Sequence, residues 1–191
     1  MPSDINSLHG WFNFQDIYAQ AAREAPPDGI LVEIGVAFGR SAAFLVQQLL
    51  TLQKDTVAFY AIDPWSECVP HGSAEADKAE TARLAVEGGP FNMFMCGMRQ
   101  FARDELERMR VLRLTSVQAA KLFSPNSIDF CFIDGSHLYD DAKKDIETFL
   151  PLIKNGGVLA GHDYDQDGVR RAVHETIGPV PMRGNSWWIR L

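Results

Sequence analysis

The stretch that most constrains this chain is Ile30–Leu45, which reads I-L-V-E-I-G-V-A-F-G-R-S-A-A-F-L. Ile30 to Ile34 form a short apolar run of β-formers, the pattern of a strand buried on both faces in a parallel sheet. Gly35 and Gly39 follow, and from Ser41 the residues Ala42, Ala43, Phe44, Leu45 and Val46 continue a helical pattern to about Leu52. A strand, a glycine turn and a helix in succession let a ligand approach the backbone closely and meet the free N–H groups of a helix start. The G-x-G-x-x-G of dinucleotide folds is missing. A carboxylate at Glu33 repels a pyrophosphate and suits a ligand with a cationic centre or an amino group. The plain alternative for the turn alone is a tight strand–helix connection.

The same alternation continues down the chain. Strands are expected at Val57–Ile62, Val111–Leu114, Ile128–Ile133 and Val158–Gly161, with a tryptophan strand from Ser186 to Leu191. Helices are expected at about Asn13–Glu24, Phe91–Met109, Val117–Phe123, from Tyr139, and at Gly168–Glu175. Strands alternating with helices predict an α/β, doubly wound, mostly parallel sheet with helices on both faces. With 191 residues and no linker or repeat, the chain reads as one domain. Residues 66–110 form a long insertion after the second strand, on the ligand side of such a sheet, where a lid or substrate wall is expected. Part of it also reads as a helix packed on the sheet. His9, Trp11 and Phe12 either cover an edge of the core or close over a ligand.

Composition narrows the function classes. The net charge of −7 carries no basic stripe, which argues against nucleic acid and against an anionic membrane surface. Cys68, Cys96 and Cys131 are scattered and odd in number, as expected of free thiols in a reducing cytosol. The first residues lack a basic segment followed by an apolar one, and no apolar run is long enough to span a bilayer, so a cytoplasmic protein is expected. Trp187, Trp188 and the N-terminal aromatics suit a homodimer interface.

Ligands of a doubly wound sheet bind beyond the carboxyl ends of its strands, and here those ends turn acidic or imidazole-bearing. After the second strand come Asp63-Pro64-Trp65, where Asp63 is placed to accept from ribose hydroxyls and Trp65 lies near the ligand or packs on the insertion. Ser116 ends the third strand, on the side of an adenine. The fourth ends in Asp134-Gly135-Ser136-His137 and the fifth in His162-Asp163-Tyr164. Asp134, His162 and Asp163 form a divalent-cation set with open positions. Magnesium prefers oxygen, so the histidine moves the expectation toward manganese or a permissive site, unless His162 only orients Asp163. A hydrogen-bonded acid–imidazole cluster without metal is the alternative. His137 is the base candidate, or else a helix-capping residue before Tyr139.

Taken together, E-I-G-x-x-x-G-x-S from Glu33, A-I-D-P-W from Ala61, F-I-D-G-S-H-x-Y from Phe132 and G-G-V-x-x-x-H-D-Y from Gly156 resemble the small class I S-adenosylmethionine (SAM) methyltransferases, over Leu31–Tyr164. The resemblance implies a Rossmann-like fold with a seven-stranded sheet. It implies SAM bound by Glu33, Gly35, Gly39, Ser41, Asp63, Trp65, Ser116 and Asp134, with His137 and Asp134 catalytic. It also implies Mg2+ or Mn2+ assistance and O-methylation of a small hydroxylated acceptor such as a sugar, phenol or natural product. Against the catechol enzymes among the relatives, Asp134 falls at their strand-four acid, His137 where a Lys base stands, and His162-Asp163 where an Asp-Asn pair stands. Those departures leave the acceptor and the metal open. A non-catalytic SAM-binding module and a hydroxylase-like member of the same fold are the alternatives.

Overall fold

The computed structural model describes residues 4–66 and 88–191. Cys68 and the amphipathic run at 74–86 lie outside the described residues, as does much of the expected 66–110 insertion. After a short 3-10 turn at Ile5–Ser7, the chain runs α1 (Gln15–Glu24), β1 (Ile30–Ile34), α2 (Arg40–Thr51) and β2 (Ala58–Ile62). It continues through α3 (Pro90–Phe101), α4 (Arg103–Arg108), β3 (Met109–Leu112), α5 (Ser116–Ala120), β4 (Ile128–Ile133) and α6 (Tyr139–Phe149). It ends with β5 (Ile153–Gly161), α7 (Asp167–Thr176), β6 (Met182–Arg183) and β7 (Ser186–Arg190).

The seven strands form one sheet in the order β3-β2-β1-β4-β5-β7-β6. β3 to β5 pair parallel, and β7 and β6 close the far edge antiparallel. The apolar runs of β1 and β4 are buried on both faces because helices cover both. One core packs α1, α2 and α3 on one face, through Tyr18, Leu45 and Phe94; the other packs α6 and α7 through Ile146, Phe149 and Val173. α1 buries Ile17, Tyr18, Ala21 and Ala22, the spacing of one helical stripe.

Several boundaries differ from the sequence reading. The expected helix from Phe91 to Met109 breaks at Ala102 (φ −147°, ψ 52°), and Met109 opens β3. β5 begins at Ile153, five residues ahead of the expected start at Val158. A register shift against β4, between Ile128 and Phe130, absorbs the extra residues, and Gly156 takes φ +82° there. Trp187 is 1% exposed, a core residue rather than part of an interface. Cys131 of β4 is fully buried in the core. Among the described residues no helix is long and apolar enough to cross a membrane.

Candidate active site

The strand order reverses between β1 and β4, so the chain leaves the sheet in opposite directions there and opens a crevice at the strand tips. The two tips nearly touch. Asp134 N–H donates to the Ile34 carbonyl at 2.7 Å. A Cβ on Gly35 would sit 2.0 Å from the Asp134 carbonyl oxygen, and Gly35 has φ +84°. Only glycine meets both demands. This contact brings the glycine turn beside the β4 tip.

The turn itself is held from behind. Asp63 Oδ2 accepts from Ala37 N–H at 3.0 Å and Oδ1 from Trp65 N–H at 2.6 Å. Trp65 Nε1 donates back to the Ala37 carbonyl at 2.6 Å, and its buried ring packs on Phe91 and Phe94 of α3. Trp65 therefore backs the turn rather than facing a ligand. With Ala37 N–H committed to a carboxylate, the turn cannot cradle a pyrophosphate in the manner of dinucleotide folds. Burial raises the Asp63 pKa against its hydrogen bonds from Trp65 and Ala37. α3 lies directly over the turn, where a Cβ on Gly39 would meet Met98 Sδ and Phe94 at 2.8 Å.

Glu33 has no exposed surface. Ser41 Oγ donates to its Oε1 at 2.5 Å, so the pair faces inward, beneath the turn. The sequence reading set both side chains against the ligand. Burial drives the Glu33 carboxyl up to about 8, despite the Ser41 hydrogen bond, and the charge of Asp134 adds to the rise. Burial raises the pKa of Tyr18, also fully buried, and its interaction with Glu33 adds to the rise.

Asp134, His162 and Asp163 converge as the strand tips predict, each offering one ligand atom, and these atoms lie within 4.8 Å of one another. His162 Nδ1 stands 3.2 Å from Asp163 Oδ2 and 3.6 Å from Asp134 Oδ1. His137 joins from the far side, its Nε2 2.8 Å from Asp163 Oδ2. Burial raises Asp134 to about 6 against the neighbouring imidazoles. Burial acts upward on Asp163 too, but the hydrogen bonds from His137 and His162 outweigh it and hold its pKa well below the usual carboxylate range. Asp163 raises His137 in return, chiefly through that hydrogen bond. His162 also rises, its desolvation outweighed by Asp163 and by the charge of Asp134. Asp163 has φ +54°, a strained backbone at the centre of the cluster.

Two further residues belong to this end of the sheet and carry no motif. Asp145, a buried residue of α6, accepts a hydrogen bond from Ser116 Oγ, so the hydroxyl expected to face an adenine is tied to a carboxylate instead. Burial raises Asp145 to about 6 against that bond. Asn13, just before α1, places Oδ1 2.8 Å from His162 Nε2. The exposed Trp11 stands nearby in the same segment, edge-on to His9, which packs on Phe38 of the turn.

The model of a family described as "Methyltransferase domain" matches residues 32–164. The chain is 25% identical over 157 residues to the uncharacterized protein y4gI of Sinorhizobium fredii, a match that covers 82% of this chain but only 15% of that protein. Among solved structures, the O-methyltransferase NovP superposes with a TM-score of 0.63 at 18% identity, over 92% of this chain and 78% of NovP. CalS11, a TDP-rhamnose 3'-O-methyltransferase of calicheamicin biosynthesis, gives 0.60 at 17% identity, over 92% and 76%. A methyltransferase from Geobacter sulfurreducens gives 0.58 at 13% identity, over 95% and 78%. At these identities the structures establish a shared fold.

Proposed function

The chain belongs to the methyltransferase-domain family, within the class I SAM-dependent methyltransferases, and from that premise we propose that it O-methylates a small hydroxylated molecule with help from a divalent cation. The observation that carries this reading is the meeting of Asp134, His162 and Asp163 beside the glycine turn, with His137 bonded to Asp163. NovP and CalS11, whose names record O-methylation, favour an oxygen acceptor, and CalS11 favours a sugar or other natural-product hydroxyl.

The residues present fit both groups. Glu33, buried beneath the turn, holds Ser41 at the start of α2, and the turn this pair supports is where SAM would lie. Asp63 and Trp65 hold the Gly35–Gly39 turn in the shape against which the cofactor lies. SAM supplies an electrophilic methyl group. The cation set is mixed in nitrogen and oxygen, which favours Mn2+ over Mg2+; a cation bound there lowers the pKa of the acceptor hydroxyl. His137 takes the acceptor proton, and Asp163 stabilises the imidazolium that results. Asp134 and the α3 side of the crevice orient the acceptor, so that positioning supplies much of the rate.

Calorimetric titration with SAM, followed by S-adenosylhomocysteine release across a panel of phenols and sugars, tests the proposal. Saturable binding that Asp63→Ala abolishes is expected, with turnover of at least one acceptor. Absence of binding at millimolar SAM overturns the reading. Turnover that survives chelation undiminished removes the cation clause alone.

A further inference from the structure

His162 reaches the cluster through Nδ1, and its other ring nitrogen is not left to solvent. Nε2 meets Oδ1 of Asn13 at 2.8 Å, across 149 positions of chain. Beside it, the Phe14 ring lies 5.0 Å from the imidazole and stacks on Phe132 of β4 at 4.5 Å. The segment that carries Asn13 is itself fixed at several points. Arg40 Nη1 donates to the Gly10 carbonyl at 3.1 Å, Gln15 Nε2 donates to the Phe12 carbonyl at 2.9 Å, and Leu8 is buried against α3 at Gly97. Asn13 is thus presented to His162 by elements that do not depend on the cluster.

The chemistry of the ring decides what this contact does. If the Asn13 carbonyl oxygen accepts the Nε2 proton, Nδ1 of a neutral imidazole carries a lone pair. That lone pair faces two carboxylate oxygens, Asp163 Oδ2 at 3.2 Å and Asp134 Oδ1 at 3.6 Å. In the ligand-free chain a proton on Nδ1 fills that point and donates to Asp163, and a bound cation would take the proton's place there. In a metal site, a partner on the second ring nitrogen is what selects the ligating tautomer. We propose that Asn13 is a positioning residue that holds His162 as an Nδ1 donor and so completes the cation site formed with Asp134 and Asp163. The inference rests on the cation clause of the proposed function. The N-terminal segment then has a part in the site, although it lies outside the matched family region at 32–164.

Mn2+ binding, followed by electron paramagnetic resonance and calorimetry on the full chain with SAM present, tests this directly. Asn13→Ala is expected to weaken Mn2+ about 10- to 100-fold, with SAM affinity and melting temperature unchanged. Asn13→Asp, which can only accept, is expected to keep wild-type affinity and the spin-echo modulation of a histidine nitrogen on the bound ion. Equal Mn2+ affinity in wild type and Asn13→Ala overturns the inference and leaves the proposed function standing. So does an Asn13→Asp chain that binds SAM normally yet loses Mn2+, or an Asn13→Ala chain that loses SAM and stability together. Wild type that methylates without binding Mn2+ overturns the cation clause, and the role of Asn13 with it.

Discussion

His137 and Asp163, on the loop after β4 and at the tip of β5, are joined by an Nε2–Oδ2 contact of 2.8 Å, and that contact links the base candidate to the cation set. His137→Gln keeps a hydrogen-bonding amide in place but removes the basic nitrogen. We expect kcat to fall by about 10²- to 10⁴-fold, with SAM affinity unchanged in calorimetry. A variant retaining wild-type turnover would assign His137 to capping α6.

Glu33 predicts a pH dependence of stability. Its folded pKa, near 8, lies above the ordinary carboxylate value, so the folded state holds a proton that the unfolded state has released. Between about pH 4.5 and 8 the unfolded chain binds fewer protons at this site, and stability falls as pH rises. Asp145 and Asp134 act in the same sense, but their folded values near 6 end their contribution lower. Urea unfolding of the ligand-free protein should show a decline between pH 6 and 8 that Glu33→Gln removes, on the order of a few kcal/mol. A Glu33→Gln curve parallel to wild type over that range would contradict the assignment.

Asp145 and Ser116 form a buried pair, and the two sides are unequal. Ser116→Ala leaves a buried carboxyl without its hydroxyl donor. The expected loss is about 1–3 kcal/mol in chemical denaturation. Asp145→Asn keeps an acceptor for the hydroxyl and should cost less. If Ser116→Ala proves the milder of the two, the bond is not the stabilising element.

Gly35 and Gly89 separate strain from crowding. Both have positive φ, but a Cβ on Gly35 collides with the Asp134 backbone, whereas among the described residues one on Gly89 meets nothing within 4 Å. Gly89, at φ 92° and ψ 170°, lies in an extended positive-φ region that is essentially glycine-only, so Gly89→Ala should cost about 1–3 kcal/mol from backbone strain alone. Gly35→Ala should exceed that clearly, because the β1 and β4 tips must part, and soluble yield and melting temperature measure the difference. Equal effects would mean the tips are not in the contact described.

Much of this end of the sheet is legible in one dimension. Apolar runs that stop abruptly at Asp63, Asp134 and His162-Asp163 mark strand tips, since a buried strand tolerates charge only where it leaves the core. Parallel topology then places those tips on one side, and the convergence of Asp134, His162 and Asp163 follows from it. The direction a side chain takes is another matter. Glu33 and Ser41 turn toward each other, Trp65 turns back onto Ala37, and Ser116 turns to Asp145, because each meets a buried partner that no spacing rule supplies.

The sequence by itself determined the alternating elements, the glycine turn, and which acids and imidazoles sit at the strand ends, because periodicity and glycine placement are local properties of the chain. Only the tertiary structure decided that Asn13 answers His162, that Asp145 holds Ser116, and that Trp187 lies in the core rather than at a surface. Those outcomes depend on which distant segments share a small volume. Packing and hydrogen-bond satisfaction settle that only once the sheet and its helices are assembled.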